Sequence, residues 1–267
     1  MLKCPVCSKP LFYEKNSYKC IHSHSFDVSK EGYVNFLTGK HKDGRFTGDN
    51  RDMAKARRNF LEKGCYDFLA QAVAEKIQAA GKSRLSTVDI SCGEGYYTNY
   101  IKSHTDANIC GFDISKEMIR LAAKKYKDIF FFVANIAGIP IADNSMDAAV
   151  QICAPFNEKE FARILKDDGI LLSVVPAENH LWGLKKLIYD TPYKNNEDIK
   201  DYESFTLLSS DVVKSEATFR SREDMMNLFA MTPYFYKTGE KDKQKLMNAE
   251  TLTTEFEFII RTFAKRH

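Results

Sequence analysis

Short apolar runs alternate with amphipathic segments across the middle of the chain, and this pattern predicts a layered α/β fold. The apolar runs are bounded by turn residues, as buried strands are, and lie at 87–90, 108–112, 129–134, 148–152 and 170–175. Segments with helical spacing lie between and after them, at 97–103, 116–126, 158–165 and 180–188. Strands that alternate with helices are typical of a parallel, doubly wound sheet.

The flanking regions have other patterns. Helices are predicted at 53–64 and again where Phe68, Leu69, Val73 and Ile77 recur at helical spacing, with Gly81 as a stop. Residues 190–232 are polar and predict a partly helical insertion on the substrate side. The tail at 251–263 alternates apolar and polar positions, as an edge strand or a closing antiparallel pair does.

Composition limits the class of protein. The chain has 267 residues, enough for one sizeable α/β domain and a small appendage. No stretch is apolar enough to span a bilayer, and the N-terminus lacks the apolar core of a signal peptide. A cytoplasmic protein without membrane association is therefore expected. The seven cysteines are an odd number, which argues against a complete disulfide framework.

Positive charge is concentrated in the N-terminal part of the chain. Residues 1–65 contain 13 Lys and Arg against 7 Asp and Glu, whereas the remaining residues contain 26 against 29. Such a basic segment is typical of a module that contacts phosphate, although a solubilising surface would have the same composition.

Three cysteines and a histidine near the N-terminus have the spacing of a metal site. Cys4 and Cys7 are separated by two residues, and Cys20 and His24 by three. A closed set of four such ligands predicts a structural zinc ion, which would supply folding free energy to a module with little core. His22 is an alternative fourth ligand, at an unusually tight spacing. The other cysteines are expected to be inert core thiols: Cys65, Cys92, Cys110 and Cys153.

A glycine-rich turn follows the first strand of the central region. Gly93 and Gly95 flank Glu94, and neither glycine has a Cβ to obstruct a ligand. Asp113 ends the second strand, where it can accept hydrogen bonds from ribose hydroxyls. The turn departs from the six-position dinucleotide fingerprint and suits S-adenosylmethionine better than NAD, with backbone N–H groups holding the methionine carboxylate. Ser91 stands where methyltransferases usually have glycine.

The fourth strand leads into Cys153-Ala154-Pro155-Phe156, at the edge where class I methyltransferases place the acceptor. A Pro-aromatic pair there can stack on a base, although Phe156 can equally be a core residue. Cys153 and Ala154 cannot orient an exocyclic amine as an acidic or amide residue would. The sequence therefore favours a ring nitrogen as the methyl acceptor at least as much as an exocyclic amine.

Distinctive short motifs occur along essentially the whole chain, at 15–18, 24–27, 30–35, 56–61, 92–98, 180–181, 187–189 and 231–233. They include Lys-Glu-Gly-Tyr-Val-Asn at 30–35, Cys-Gly-Glu-Gly-Tyr-Tyr-Thr at 92–98 and Met-Thr-Pro at 231–233. In these segments the chain resembles the RlmA family of 23S rRNA (guanine-N1) methyltransferases.

The resemblance implies a class I, Rossmann-like methyltransferase fold with an N-terminal zinc-finger module. The implied organisation is a zinc-binding module at 1–37, a linker and helical segment at 38–81, and the methyltransferase domain at 82–267. The substrate is then a hairpin loop in domain II of 23S rRNA, bound in the cleft of a homodimer. The implied zinc ligands are Cys4, Cys7, Cys20 and His24. The implied S-adenosylmethionine contacts are Tyr66, Glu94, Gly95 and His180.

Methylation at guanine N1 requires an unpaired base and a group that accepts the N1 proton. No proton acceptor is identified, and His180 is interpreted as a donor-site contact in preference to a general base. Lys55, Arg57 and Arg58 lie on one predicted helix and face either phosphate or solvent. Two other hypotheses remain at this stage: a methyltransferase for a small molecule or protein, and a non-catalytic RNA-binding relative.

Overall fold

The N-terminal module is a small antiparallel sheet followed by one further strand. The computed structural model describes residues 2–38, 51–81 and 83–266. Strands β1 (Phe12–Glu14), β2 (Ser17–Lys19) and β3 (Ser25–Asp27) pair antiparallel in that order, and β4 (Val34–Asn35) follows. The predicted linker at 38–50 lies, from residue 39 onward, outside the described residues.

Five parallel strands form the centre of the main sheet, as the sequence predicts. They are β5 (Ser86–Ile90), β6 (Asn108–Asp113), β7 (Phe130–Val133), β8 (Met146–Ile152) and β9 (Leu165–Pro176). Alternate side chains enter different hydrophobic clusters: Ala148 and Val150 join one, and Ala149 joins another. Because successive strand residues point to opposite faces, this alternation shows that apolar groups cover the sheet on both sides.

Helices connect and flank these strands. The two that precede the central sheet are α1 (Arg51–Leu61) and α2 (Asp67–Ala79). Those within it are α3 (Tyr96–His104), α4 (Lys116–Lys125), α5 (Glu158–Ile164) and α6 (Trp182–Ile188), which confirms the predicted alternation. Those in the C-terminal part are α7 (Arg222–Ala230), α8 (Tyr234–Lys237) and α9 (Glu240–Met247). None of the helices in the described part of the chain is long and apolar enough to cross a membrane.

Two long antiparallel strands complete the sheet: β10 (Phe205–Phe219) and β11 (Leu252–Lys265). The strand order is β10-β11-β9-β8-β5-β6-β7-β4. The predicted antiparallel tail is therefore confirmed, but it lies inside the sheet between β9 and β10. The prediction of a polar, partly helical insertion at 190–232 is wrong for β10. That strand is at the edge of the sheet, and many of its side chains face solvent, so its sequence lacks a continuous apolar run.

The N-terminal module is joined directly to the main sheet. Val34 and Asn35 of β4 pair in parallel with Phe132 and Val133 of β7. Phe36 is 2% exposed, and its ring packs at 5.8 Å from that of Phe132. At the start of the chain, Lys3 Nζ lies 2.9 Å from Asp143 Oδ1. The module is thus held by backbone pairing, aromatic packing and an ion pair.

Candidate active site and metal centre

The predicted metal ligands converge in the N-terminal module. The Sγ atoms of Cys4, Cys7 and Cys20 and a ring nitrogen of His24 all lie within 4.8 Å of one another. His24 Nδ1 is 3.3 Å from Cys20 Sγ, and the Sγ atoms of Cys7 and Cys20 are 3.6 Å apart. Thiolates that share a tetrahedral zinc ion are about 3.8 Å apart, so this donor set fits zinc. His22 is exposed and lies outside the group.

Tight turns give the cysteines this arrangement. The N–H of Ser8 donates to Cys4 O at 2.8 Å, and the N–H of Ser23 donates to Cys20 O at 2.9 Å. Burial raises the pKa of Cys20, but backbone donors at His24 and His22, together with hydrogen bonds from the side chains of Cys7 and His24, lower the pKa to about 7. A thiolate, which is the form that binds a metal, is therefore favoured at Cys20.

The glycine-rich turn forms a tight connection between β5 and α3. Gly93 and Gly95 have φ values of 58° and 83°, in the left-handed region that favours glycine. A Cβ atom on Gly95 would lie only 2.8 Å from Cζ of Phe131. The turn therefore requires glycine at position 95 for its backbone conformation and for its packing. Ser91 adopts a φ of 58° as well, at the position where the family resemblance predicts glycine.

Asp113 joins this turn to the next strand. Its carboxylate accepts hydrogen bonds from the N–H groups of Gly93, at 3.0 Å, and Ser115, at 2.8 Å. Both carboxylate oxygens are thus oriented by backbone donors, at the carboxyl end of β6. The pair Asp113–Gly93 brings together two of the features from which the sequence predicts a nucleoside site.

A cavity of about 360 Å³ opens beside the turn, within the size range of small-molecule sites. It lies at the carboxyl ends of β5, β6 and β8, the edge at which open α/β sheets bind ligands. Its polar lining includes Arg57, Asp89, Glu94, Asp113 and Asn135. Its apolar lining includes Leu61, Ile114, Met118, Ile136 and Pro155.

Glu94 is buried in the wall of this cavity. The residue is 2% exposed, and Oε2 has no hydrogen-bond partner among the described residues. Burial raises its pKa, although Lys125 and Arg58 act in the opposite direction. A buried carboxylate oxygen that accepts no hydrogen bond fits a cationic group of a ligand, such as the ammonium of S-adenosylmethionine.

Asp89, the acid that precedes the glycine-rich turn, is a further cavity residue, to which the sequence analysis assigns no role. It is 2% exposed and accepts a hydrogen bond from the Thr98 hydroxyl at 2.6 Å. Burial raises its pKa to about 7, despite that hydrogen bond. The signal for it was its place one residue before the end of β5, where side chains reach the ligand edge of a parallel sheet.

Tyr66 and His180 lie in an aromatic cluster outside the cavity lining. Both rings pack on Phe258, with centroids at 5.2 Å and 4.3 Å. Tyr66 Oη and His180 Nδ1 are buried without a hydrogen-bond partner among the described residues. Burial, with a smaller contribution from the charge of Lys185, lowers the pKa of His180 to about 3. His180 is therefore neutral near pH 7 and a weak base, which favours a contact role over proton abstraction.

The Pro-aromatic pair after β8 has divided roles. Pro155 and Cys153 line the cavity. The Phe156 ring instead stacks on Tyr202, with centroids 4.2 Å apart and planes at 14°. It also contacts Phe161 at 5.0 Å. Phe156 could stack on a base or pack in the core, and the structure supports packing in the core, because its ring already has a stacking partner.

The three basic residues of α1 have different surroundings. Lys55 is exposed, and Arg57 lines the cavity. Arg58 Nε lies 3.8 Å from Glu94 Oε2 and 3.8 Å from Glu62 Oε1. The solvated alternative thus describes Lys55, and phosphate contact by these residues stays a prediction.

A parallel sheet with a glycine-rich turn, an acid at the end of the second strand and a cavity at that edge defines a class I methyltransferase. Residues 88–173 match a methyltransferase domain family. Residues 2–45 match the family of RlmA N-terminal zinc ribbons. The YcgJ protein from Bacillus subtilis has a similar fold: the alignment covers 74% of this chain and 99% of that one, with 14% identity and a TM-score of 0.52.

Relatives define the family more narrowly. The chain is 31% identical to "Putative 23S rRNA (guanine-N(1)-)-methyltransferase YxjB" of Bacillus subtilis, over 97% of this chain and 96% of that protein. It is 33% identical to the 23S rRNA (guanine(748)-N(1))-methyltransferase of Streptomyces fradiae, over 67% of this chain and 65% of that protein. The chain belongs to the RlmA family of 23S rRNA (guanine-N1-)-methyltransferases. Its cofactors are S-adenosylmethionine and a structural zinc ion, which the donor sets described above fit.

Proposed function

We propose that this enzyme methylates N1 of a guanine in a hairpin loop of domain II of 23S rRNA. The observation that carries the proposal is the fixed connection between the zinc ribbon and the methyl-donor domain through β4 and β7. A basic N-terminal region attached to the catalytic sheet can hold a structured RNA while one base reaches the cavity. The names of the relatives support guanine N1 as the acceptor.

We also propose five residues for the S-adenosylmethionine site. Gly95 gives the turn the left-handed backbone conformation that places Glu94 at the methionine part, and Glu94 supplies a buried acceptor for its ammonium. Asp113 accepts hydrogen bonds from ribose hydroxyls. Tyr66 and His180 hold unpartnered polar atoms in the adjacent aromatic cluster, where each can bind a polar group of the donor or acceptor.

The bound donor supplies an electrophilic methyl group, and the protein holds the donor and the acceptor base in the orientation that the transfer requires. N1 of neutral guanine carries a proton, which has to pass to a base or to solvent as the N1–methyl bond forms and the methyl–sulfur bond of the donor breaks. N1 also lies on the pairing edge, so the base has to be unpaired before it reacts. A hairpin loop presents such bases. The cavity walls then align N1 with the methyl carbon and limit the access of water, which lowers the barrier mainly through orientation.

We further infer that the enzyme acts in the cytoplasm as a homodimer. The substrate supports the location, because ribosomal RNA is methylated there. The edge strand β10 supports self-association: Leu208 and Val212 on it are 59% and 61% exposed. Light scattering on the purified protein tests the dimer, and a single-chain mass at micromolar concentration would refute it.

Incubation with tritiated S-adenosylmethionine and unmodified 23S rRNA tests the function. Methylation at N1 blocks pairing, so reverse transcriptase should stop at one position in the domain II hairpin. The control is the same rRNA with the mapped guanine replaced by adenine, which should remain unlabelled. Label that is absent, or that lies elsewhere in the rRNA, would contradict the proposed site.

A further inference from the structure

A buried lysine on α6 has no acidic partner among the residues that the structure describes. Lys185 on α6 is 0% exposed, and burial lowers its pKa. Its ammonium donates to Tyr193 O at 3.1 Å and to Asn195 Oδ1 at 2.7 Å. No described carboxylate forms an ion pair with it. A buried cation without a neutralising acid costs stability, which makes Lys185 a candidate for a role beyond packing.

Aromatic rings surround this ammonium. Lys185 Nζ lies 4.7 Å from the ring centroid of Tyr193 and 5.3 Å from that of Tyr234. Tyr189 completes the group, with its centroid 5.6 Å from that of Tyr193. Tyr193 is nevertheless 49% exposed. One aromatic ring is thus open to solvent while the lysine and the other two tyrosines support it, and we refer to these four residues as the tyrosine platform.

Hydrogen bonds connect the platform to the ligand edge of the sheet. The Asn195 side chain donates to Ala177 O at 2.8 Å, and the His180 N–H donates to the same oxygen at 3.1 Å. Ala177 directly follows β9, whose residue Val174 accepts a hydrogen bond from the N–H of Cys153. Strand β9 therefore connects the platform, which is bonded at Ala177, with the cavity residue Cys153, which is bonded at Val174.

Tyr234 provides a second connection. Its ring lies edge-on to that of Tyr193, with centroids 6.5 Å apart and planes at 84°. Tyr234 also packs against the same hydrophobic cluster as Tyr97, which lines the donor cavity.

We propose that the tyrosine platform is the site on which the unpaired purine stacks, with Tyr193 as the stacking residue and Lys185 as the positioning residue. The site requires a flat π surface that tolerates an extruded base, and Tyr193 offers one. Phe156 already stacks on Tyr202. The two aromatic residues that line the cavity, Tyr96 and Tyr97, pack edge-on against each other. The proposal rests on the proposed function, because it assumes an RNA base as the acceptor.

Lys185 acts through the loop that it holds. Its two hydrogen bonds fix the backbone of Tyr193 and the side chain of Asn195, and its charge faces the rings of Tyr193 and Tyr234. A cation against the ring face attracts the π electrons and restrains the rings. Loss of the ammonium should therefore loosen Tyr193 without removing any atom from the donor cavity.

The first test compares Tyr193→Ala with Tyr193→Phe on an unmodified rRNA fragment that contains the target guanine. Loss of one stacked base reduces kcat/KM for RNA by roughly 5- to 150-fold in Tyr193→Ala, whereas Tyr193→Phe keeps the ring and most of the activity. The dissociation constant for S-adenosylmethionine should stay unchanged in both. The control is Tyr100→Ala, because Tyr100 stacks on His104 at 4.0 Å, at the far end of α3.

Fluorescence gives a second readout. An RNA with 2-aminopurine in place of the target guanine should be quenched when bound to the wild type or Tyr100→Ala, and bright when bound to Tyr193→Ala. Equal brightness in all three complexes, or equal kcat/KM for Tyr193→Ala and the wild type, overturns the platform.

Lys185→Met tests the positioning role. It should raise KM for RNA and brighten the 2-aminopurine complex, while the free energy of unfolding stays equal or rises because a buried charge is removed. Unchanged RNA kinetics would overturn the role of Lys185, as would a loss of activity that only follows a loss of stability. A wild type that labels no rRNA would refute the proposed function and the platform together. An active wild type matched by Tyr193→Ala would refute the platform alone.

Discussion

The guanidinium of Arg58 faces the buried carboxylate of Glu94, with 3.8 Å between Nε and Oε2. This separation is too long for a hydrogen bond, and neither atom has another hydrogen-bond partner among the described residues. The charges of Arg58 and Glu94 therefore balance each other, while Glu94 Oε2 can still accept a hydrogen bond. A donor ammonium in the cavity can use the carboxylate oxygen without displacing a protein group.

Glu94→Gln should weaken S-adenosylmethionine binding. The substitution removes a charge-assisted hydrogen bond and leaves the Arg58 cation less balanced, at a cost of about 1–3 kcal/mol in binding free energy. Titration calorimetry measures the change. The matched control is Glu62→Gln, because Glu62 also lies 3.8 Å from Arg58 but is 48% exposed. Equal affinities for the two variants would contradict the assignment of Glu94.

Gly95→Ala should destabilise the protein and reduce donor binding. The new Cβ would meet Phe131 at 2.8 Å, in a backbone conformation with a φ of 83°. Positive φ and overpacking together cost about 2–4 kcal/mol in the free energy of unfolding. Urea unfolding measures this loss. Gly138→Ala is the control, because a Cβ there has no neighbour within 4 Å, and a similar loss in it would refute the steric argument.

Asp89 should make stability depend on pH. Burial raises its pKa to about 7 in the folded protein, from an ordinary value of 3.8. The folded state thus binds the proton more tightly, so this stabilisation is complete below about pH 3.8 and is lost as the pH rises through about 7. Relative to Asp89→Asn, the wild type should lose up to roughly 2 kcal/mol between about pH 5 and about pH 7.

Urea unfolding of both proteins across this pH range measures the difference between them. Asp106→Asn, at an exposed position, serves as the control and should follow the wild type. If Asp89→Asn has the same pH dependence as the wild type, the buried carboxyl is not the group that titrates.

Cys7→Ser should reduce the zinc content from about one ion per chain to a small fraction, because a tetrahedral structural site needs all four ligands. Metal analysis after dialysis measures the content. His22→Ala should retain zinc, since His22 is exposed and outside the ligand group. Zinc that is lost from His22→Ala and kept by Cys7→Ser would reverse the ligand assignment.

The sequence predicts the central fold because its parallel strands are buried on both faces and leave a strong apolar signal. Val88, Ile90 and Val150 are each 0% exposed and stand in such runs. β10 leaves no such signal, because only some of its side chains are buried and a long-range partner, β11, determines its conformation. Its pairing with β11 joins residues far apart in the sequence, which local periodicity does not encode.

The site was predictable where backbone geometry and ligand chemistry restrict the residue type. Gly95 and the four zinc ligands belong to this class. The role of Phe156 was not predictable, because its partner Tyr202 is distant in sequence and only the folded chain brings the two rings together. Lys185 was hidden for a related reason: a lysine in a sequence is expected at the surface, and its burial depends on loop residues 193–195.

The two-residue strand β4 gives the zinc ribbon a defined orientation. Its pairing in register with β7 determines the distance and angle between the ribbon and the donor cavity. If the ribbon binds one part of an RNA, the fixed distance from ribbon to cavity decides which nucleotide of that RNA reaches the methyl donor. A change in the length of the protein segment between the ribbon and the cavity would then change the target nucleotide without any change in the residues that line the cavity.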